Sequence, residues 1–314
     1  MNRLAIYLFC ALSVFGASCE GFFSQVVEID PPEYEKSLVF HQLLSDSEDS
    51  IRLILSRNHG ILEVVNDDRK WFVSGATVEW WSGGQKALTL SPLSADSAFV
   101  YVGKLPAAPQ PGQTYEIRVS HPDYLPVRAE QQMPQPTEAI SDVKLSRNVS
   151  SDQYGTKLDE LEVSFKDVAG VAQYYEMRLI KEEQFVLYQG QDSMGNWLID
   201  TIRYEANAYF ENTFDPNIVS GYNNTILLSD RYFDGATYKF RGRFYAPYSE
   251  PEDPKPYIFI LRSVSKEYYF WSKSYEQSSQ NQGNPFVEPV SVYNNLENGL
   301  GIFGLYSERR FEVE

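Results

Sequence analysis

The sequence predicts a mainly β protein made of two β-sandwich domains. In residues 114–120 every second side chain is apolar, as expected for a strand with one buried face and one face in solvent. Many short segments of this kind are separated by Gly, Pro, Asn and Asp, which is typical of β-sandwiches. The chain has 314 residues, of which 43% are hydrophobic and 15% aromatic, enough for two cores.

The predicted strands follow one another along most of the chain. Residues 161–165 and 238–246 alternate as clearly as 114–120 and indicate antiparallel strands with one wet face. Further strands are predicted at 38–44, 51–56, 77–81, 99–102, 173–180, 197–204, 225–228 and 257–264.

One helix is predicted, at about 266–280. Ser265 can cap its N-terminus, and Tyr268, Trp271 and Tyr275 recur at helical spacing. We expect this helix to pack on a sheet.

The domain boundary is predicted near residues 133–137. Prolines there remove backbone donors and interrupt strand pairing between two strand-rich halves. The predicted domains are a first β-sandwich at 37–135 and a second β-rich domain at 138–314. A tether and first strand, 19–36, precede them.

The N-terminus has the order of a signal peptide. Arg3 precedes an uncharged apolar stretch, residues 4–17, which is too short to span a bilayer comfortably. Cys19 follows small residues, an order that resembles a bacterial lipobox. We therefore expect removal of residues 1–18, acylation of Cys19 and attachment to the outer membrane through the acyl chains. Gly16 stands where leucine is usual, so an ordinary secretory signal and an uncleaved anchor stay as alternatives.

The overall charge argues against one class of partner. There are 27 Lys and Arg residues against 43 Asp and Glu, a formal net charge of −16. A surface this acidic repels the phosphate backbone of nucleic acids. We therefore expect no nucleic acid to bind. A basic stripe at Lys239, Arg241 and Arg243 is expected to pair with neighbouring acids.

Gly299 to Gly304 match the Gly-x-Gly-x-x-Gly pattern of dinucleotide-binding loops. That motif must open a helix, and only ten residues follow Gly304 in the sequence. We expect instead a Gly-rich strand or bulge where another backbone approaches closely.

The sequence does not identify catalytic or metal-binding residues. His41, His59 and His121 share no metal-ligand spacing, and no Gly-x-Ser-x-Gly elbow is present. We predict a protein that is not an enzyme and has no cofactor or metal. A hydrolase stays as the third hypothesis, because an acid pair or a triad can converge from distant positions.

A segment rich in aromatic residues and asparagine spans 204–224. Such residues combine flat apolar area with polar edges, which protein interfaces and sugar sites use. An irregular loop that covers the second sandwich is the alternative. The candidate contact residues here are Tyr204, Tyr209, Phe210, Phe214 and Tyr222.

Residues 284–304, NPFVEPVSVYNNLENGLGIFG, resemble the closing signature of a family of predicted Bacteroidota outer-membrane lipoproteins, domain of unknown function 4249. Residues 229–235 and 112–117, Met133-Pro134 and the start of the mature chain from Cys19 extend the resemblance. The resemblance implies an immunoglobulin-like or transthyretin-like first domain, a larger β-rich second domain, and lipidation at the outer membrane. It supplies no catalytic residues.

The signature itself allows two interpretations. It can form a contact surface, or it can be an ordered turn array, because Asn and Gly adopt left-handed backbone angles and Asn bonds its own main chain. The candidate contact residues are Asn284, Phe286, Asn294, Asn295 and Asn298.

Family members look like accessory lipoproteins of TonB-dependent transporters and their surface lipoprotein partners. The leading hypothesis is therefore a surface-facing accessory subunit of an integral outer-membrane β-barrel, either such a transporter or a barrel-assembly complex. A free-standing lipoprotein that binds glycan or peptide is the alternative, and the periplasmic face is the alternative topology.

Overall fold

The computed structural model describes residues 34–60, 63, 68–137, 140–191, 194–195, 197–211, 215–245, 256–284 and 286–313. The predicted signal peptide, Cys19 and Phe214 lie outside these residues. The elements below belong to one compact unit, 36–58 and 65–314. In the other unit, 1–35 and 59–64, the Tyr34 hydroxyl donates to Glu63 (2.7 Å).

The described residues form mostly strands, so the predicted mainly β class is confirmed. The strands are β1 Leu38–Ser45, β2 Ser50–Ile54, β3 Ser56–Arg57, β4 Thr77–Ser82, β5 Gln85–Pro92, β6 Val100–Lys104, β7 Thr114–His121, β8 Tyr124–Gln132, β9 Ile140–Ser151, β10 Lys157–Lys166, β11 Tyr174–Gln191, β12 Trp197–Asn207, β13 Tyr209–Phe210, β14 Val219–Gly221, β15 Thr225–Ser229, β16 Thr237–Tyr245, β17 Tyr257–Val264 and β18 Gly299–Val313. Among the residues that the structure describes, one α-helix is found, α1 Lys266–Asn281, and three short 3-10 turns lie at Asp68–Trp71, Tyr222–Asn224 and Asp230–Tyr232.

The described strands form three sheets. A six-stranded sheet has the order β2-β6-β5-β4-β7-β8, and a four-stranded sheet has the order β13-β16-β10-β9. An eight-stranded sheet runs β14-β15-β11-β17-β18-β1-β3, and β12 pairs with β11 beside it. All named pairs are antiparallel except β1 with β18, which run parallel in register from Leu38 opposite Gly299 to Ser45 opposite Tyr306.

Strand β18 contributes to two hydrophobic cores. Phe303 and Leu305 pack with Trp80 and other residues of the six-stranded sheet. Further along the strand, Phe311 and Val313 belong to the core that the four-stranded sheet makes with β11 and β17. The first core is thus completed from both sides of the predicted boundary at 133–137, because β1 and β18 pair across it. The division into domains at that point stays a prediction.

Helix α1 confirms the prediction from periodicity. The Ser265 side chain accepts a hydrogen bond from the Tyr268 backbone N–H and caps the helix, as expected. Tyr268 and Tyr269 are buried against Leu227 and Val264 of the eight-stranded sheet. Of the residues at helical spacing, Tyr268 and Trp271 are buried, whereas Tyr275 is 38% exposed.

The Gly-rich segment is a strand closely approached by another backbone, as predicted. Gly301 has φ +125°, which L side chains rarely adopt, and a Cβ there would lie 1.9 Å from the carbonyl oxygen of Phe40. Only glycine allows β18 to lie against β1 at this point. The apparent dinucleotide motif has this structural cause.

Some strands were not predicted or differ in length. β9 carries residues at positive φ, Asp142 and Asn148, and two register shifts, so its alternation is broken. The sequence predicted only 173–180 for β11, which extends to Gln191. Its second half has apolar residues at consecutive positions, so it shows no period of two.

Candidate functional site

Beyond Lys181, strand β11 continues as one arm of a two-stranded ribbon. Its pairing with β17 runs from Tyr174 to Lys181, whereas its pairing with β12 runs from Ile180 to Gln191. Among the described strands, β12 pairs with β11 alone. We call residues 182–191 and 197–205 the apolar ribbon.

The apolar ribbon exposes an unusual number of large apolar side chains. Each of nine such side chains is 39–62% exposed, whereas Met177 and Leu179, earlier on β11, are 1% exposed. The nine are Phe185, Val186, Leu187, Tyr188, Trp197, Leu198, Ile199, Ile202 and Tyr204.

Both faces of the ribbon are apolar. Phe185 lies opposite Ile202, and its ring meets that of Tyr204 at 6.0 Å on the same face. Tyr188 lies opposite Ile199, and its ring meets that of Trp197 at 5.8 Å on the other face. A strand that merely covers a core would place its apolar side chains on one face only.

The exposed apolar area is large on each face. Nine side chains of this size, about half exposed, present on the order of 800 Å² over the two faces, and each face alone matches the largest apolar patch of a typical monomer, roughly 300–600 Å². Such patches mark sites of interaction. The sequence signal that could have found the site is the run of four large apolar residues at 185–188 between Gln184 and Gln189.

The predicted aromatic residues occupy different places. Tyr204 belongs to the apolar ribbon, and Tyr209 on β13 is 60% exposed. Phe210 packs on the second core, with its ring 5.5 Å from that of Phe240. Tyr222 lies against the helix, 5.4 Å from the ring of Trp271. Their role as contacts stays a prediction, and the four do not form one surface patch comparable to the ribbon.

Three predicted asparagines hydrogen-bond the main chain. Asn294 accepts from the Gly301 N–H (3.0 Å), and Asn295 both donates to the Phe303 carbonyl (2.8 Å) and accepts from its N–H (2.9 Å). Asn298 has φ +59° and donates to the carbonyl of Pro126. These contacts hold β18 in place and agree with the turn-array interpretation of the signature.

The start of the signature, at Asn284 and Phe286, is more exposed to solvent. Asn284 accepts a hydrogen bond from the Phe286 N–H (3.1 Å), and the Phe286 side chain is 95% exposed. Among the predicted contact residues that the structure describes, Phe286 is the most accessible to a partner.

Three carboxylates converge beside the start of β11. Ligand oxygens of Asp167, Asp230 and Asp234 lie within 4.8 Å of one another and could hold a divalent cation such as Ca²⁺. Burial, together with the charges of Asp167 and Asp234, raises the pKa of Asp230. The sequence analysis missed this cluster, because Asp167 is distant in sequence from the turn that carries the other two.

Protein donors already serve these carboxylates. Asp167 accepts from the Tyr175 hydroxyl and the Gly235 N–H, and Asp230 accepts from the Gln173 N–H (2.5 Å). Asp234 accepts from a further backbone N–H. These hydrogen bonds give the three carboxylates a structural role, because they join the start of β11 to the turn that carries Asp230 and Asp234.

A buried charge network lies between the eight-stranded sheet and α1. Arg262 contacts Glu176 (2.8 Å) and Glu308 (2.7 Å), and the Tyr268 hydroxyl donates to Glu176 (3.0 Å). Burial would raise the pKa of Glu308, but the charge of Arg262 and the hydrogen bonds from Arg310 and Arg262 hold it below its ordinary value. Every charge in this network is paired, which is the arrangement of a structural site.

The predicted pairing of the basic stripe is confirmed for two residues. Arg241 lies 2.7 Å from Glu160 and 3.3 Å from Glu162, and Arg243 lies 3.6 Å from Glu160. These cations neutralise acids of the neighbouring strand.

A cavity of about 640 Å³ opens beside the start of α1. Gln131, Gln135 and Gln173 line it together with Tyr174 and Ser263. The buried Ser263 hydroxyl has no hydrogen-bond partner within the described parts of the chain. The lining also includes Glu130, Lys266 and Glu267, so the cavity offers charged groups beside the amides, the hydroxyl and the aromatic ring.

The described chain is therefore a mainly β protein with a packed helix and an exposed apolar ribbon. Residues 25–312 match the family described as a domain of unknown function, DUF4249. The chain belongs to this family, which confirms that part of the resemblance. A comparison with curated proteins gives no match. None of the described helices has the length and apolar character needed to cross a membrane.

Proposed function

We propose that this protein is a lipid-anchored accessory subunit of an integral outer-membrane β-barrel and has no enzymatic activity. Cys19 carries the acyl chains, and the folded part faces the cell exterior. The barrel is a TonB-dependent transporter or a barrel-assembly complex. The lipobox-like order before Cys19 and the resemblance of the closing signature to outer-membrane lipoproteins support this proposal.

The observation that carries the proposal is the apolar ribbon. A protein that works alone in water has no use for nine exposed large apolar side chains on one hairpin, since they favour aggregation. A stable partner would cover them. The charges of the Arg262 network are paired, and the carboxylates around Asp230 are hydrogen-bonded to protein donors. Both features favour a binding role over catalysis.

The proposal includes a finer fold assignment. The first core, between the six-stranded sheet and β1 with β18, corresponds to an immunoglobulin-like or transthyretin-like domain, and the second core to a larger β-sandwich. Support comes from the two separate clusters of buried apolar residues.

The test is affinity purification of the tagged full-length lipoprotein from outer membranes in mild detergent, followed by crosslinking mass spectrometry. We expect one barrel protein in stoichiometric amount. The matched control, Cys19→Ala, removes the lipid anchor and should leave the protein outside the membrane fraction. Recovery of wild-type lipoprotein without a barrel would contradict the proposal.

A second candidate function is free-standing binding of glycan or peptide. The cavity at Gln131, Gln173 and Ser263 favours it, because its lining can bond sugar hydroxyls or peptide groups. The test is a glycan and peptide array probed with the chain from residue 20 onward. Binding that Gln135→Ala abolishes would support this function, and an empty array would remove it.

A further inference from the structure

The geometry points to a partner protein that grips the apolar ribbon on both faces, in a groove that is apolar inside and basic at its rim. This inference rests on the proposed function and specifies its contact surface. It differs from the predicted contact segments 204–224 and 284–304, which share only Tyr204 and the adjoining Glu205 with the ribbon.

The area of each face argues for a two-faced grip. One face presents roughly 400 Å² of apolar surface, about half of the ~800 Å² that each partner contributes to a standard interface. Both faces together reach that size. A partner that docked flat on one face would leave the other exposed, including either Tyr188 or Phe185.

The net negative charge of the ribbon indicates that the rim of the partner's groove is basic. The apolar ribbon has one basic residue, Arg203, and four acidic ones, Glu182, Glu183, Asp200 and Glu205. Within the chain Glu205 pairs with Arg310 (3.0 Å), so the ribbon keeps an excess of negative charge. A groove with basic residues at its edge would complement this charge and exclude like-charged surfaces.

The same charges disfavour a second copy of this chain. Two ribbons placed together would bring eight carboxylates near one another, on chains that each carry a formal net charge of −16. Like charges placed together across an interface are destabilising.

A lipid bilayer is also a poor occupant. Asp200 lies in the middle of the ribbon, opposite Leu187, and would have to enter the hydrocarbon region. Hydrocarbon cannot bond the backbone groups along a strand edge, whereas a protein groove can. The ribbon therefore fits a protein partner better than lipid.

The first test uses two neighbouring residues whose side chains point to opposite faces. Val186→Glu and Leu187→Glu each place a charge on one face, and Val149→Glu places it on a similarly exposed valine of β9. We expect each ribbon variant to reduce co-purification of the barrel at least about tenfold, and the β9 variant to leave it unchanged. Equal recovery with either ribbon variant would overturn the two-faced grip.

The second test identifies the occupant. A photoreactive phenylalanine analogue replaces Tyr188 on one face, Tyr204 on the other, or the exposed Tyr232 as a control, in full-length protein in outer membranes. We expect crosslinks from both ribbon positions to the barrel that co-purifies, and none to it from Tyr232. The complex should also weaken from about 0.05 M to about 0.5 M NaCl.

Crosslinked products other than the barrel would identify a different occupant of the ribbon. A crosslinked species at twice the mass of the processed chain would indicate a second copy, and adducts to lipid alone would indicate the bilayer. Either result would overturn the inference. If wild type recovers a barrel that the ribbon does not contact, the inference fails and the proposed function stands. If the wild-type protein recovers no barrel, the proposed function fails, and the inference that rests on it fails with it.

Discussion

The two halves of strand β11 both carry large apolar side chains but have opposite environments. From Tyr174 to Lys181 the strand lies inside the eight-stranded sheet, and Met177 and Leu179 are almost completely buried. From residue 182 onward it pairs with β12 and exposes Phe185 and Tyr188. The first half is part of this molecule's own core, and we propose that the second half packs against another molecule.

The comparison shows that apolar content alone does not identify a core. The buried half encloses a charge, Glu176, which is satisfied by Arg262 and two hydroxyl groups. Stability should therefore depend on the first half, and association on the second.

The largest expected effect comes from breaking the buried charge network. Arg262→Met should lower the free energy of unfolding by about 3–5 kcal/mol, because Glu176 and Glu308 would stay buried without their cation. Chemical denaturation measures the change. The control Arg309→Met removes a half-exposed cation 3.7 Å from Asp46 and should cost at most about 1 kcal/mol. Equal losses in the two variants would contradict the network's role.

A matched pair of leucines tests the comparison on one strand. Leu179→Ala should cost about 2–5 kcal/mol, because it opens a cavity in the second core. Leu187→Ala, on the exposed half, should change the free energy of unfolding by no more than about 0.5 kcal/mol. Denaturant titrations of both variants measure the difference. Similar losses would mean that the ribbon is part of this protein's own core.

Acid should weaken the network that supports the buried half. Since the pKa of Glu308 is lower in the folded protein than in the unfolded chain, the stabilisation is present above about pH 4.5 and is lost as pH falls through the lower folded pKa. Glu308→Gln should lower stability at pH 7 and flatten its decline below pH 4.5. Glu312→Gln, on an exposed part of β18, should leave the curve unchanged. Parallel curves for wild type and Glu308→Gln would refute the assignment.

The smallest effect on stability is expected for Asp230, which lies beside the start of β11. Because the pKa of Asp230 is raised in the folded state, its ionisation disfavours folding as pH rises above the unfolded value. Asp230→Asn should therefore raise the melting temperature slightly at pH 7 and less near pH 4. An amide oxygen can still accept from the Gln173 N–H. A lower melting temperature at pH 7 would indicate that the charge is needed, as it would be for a bound cation.

The regular parts of the fold could be predicted from sequence. Alternation located the strands with one buried face, and Ser265 with the spacing of Tyr268 and Trp271 located the helix. The close approach at Gly301 followed from the glycine pattern. Parallel pairing of β1 with β18 could not be predicted, because it joins residues about 260 positions apart through tertiary contacts.

The candidate site was predicted only in part. Tyr204 was found from aromatic density, but Phe185 to Tyr188 were not, since consecutive apolar residues are expected in a buried strand. Whether such a run is covered depends on which strands flank it. That information lies in the sheet order and not in the local sequence.

Hydrogen exchange of the two halves of β11 would test the central claim most directly. Full-length protein is labelled in native outer membranes and, separately, after purification to a single chain. We predict that peptides from 174–181 exchange slowly in both samples, whereas peptides from 182–191 and 197–205 exchange slowly only in the membranes, where a partner covers the ribbon. Equally fast exchange of the ribbon in both samples would contradict the account.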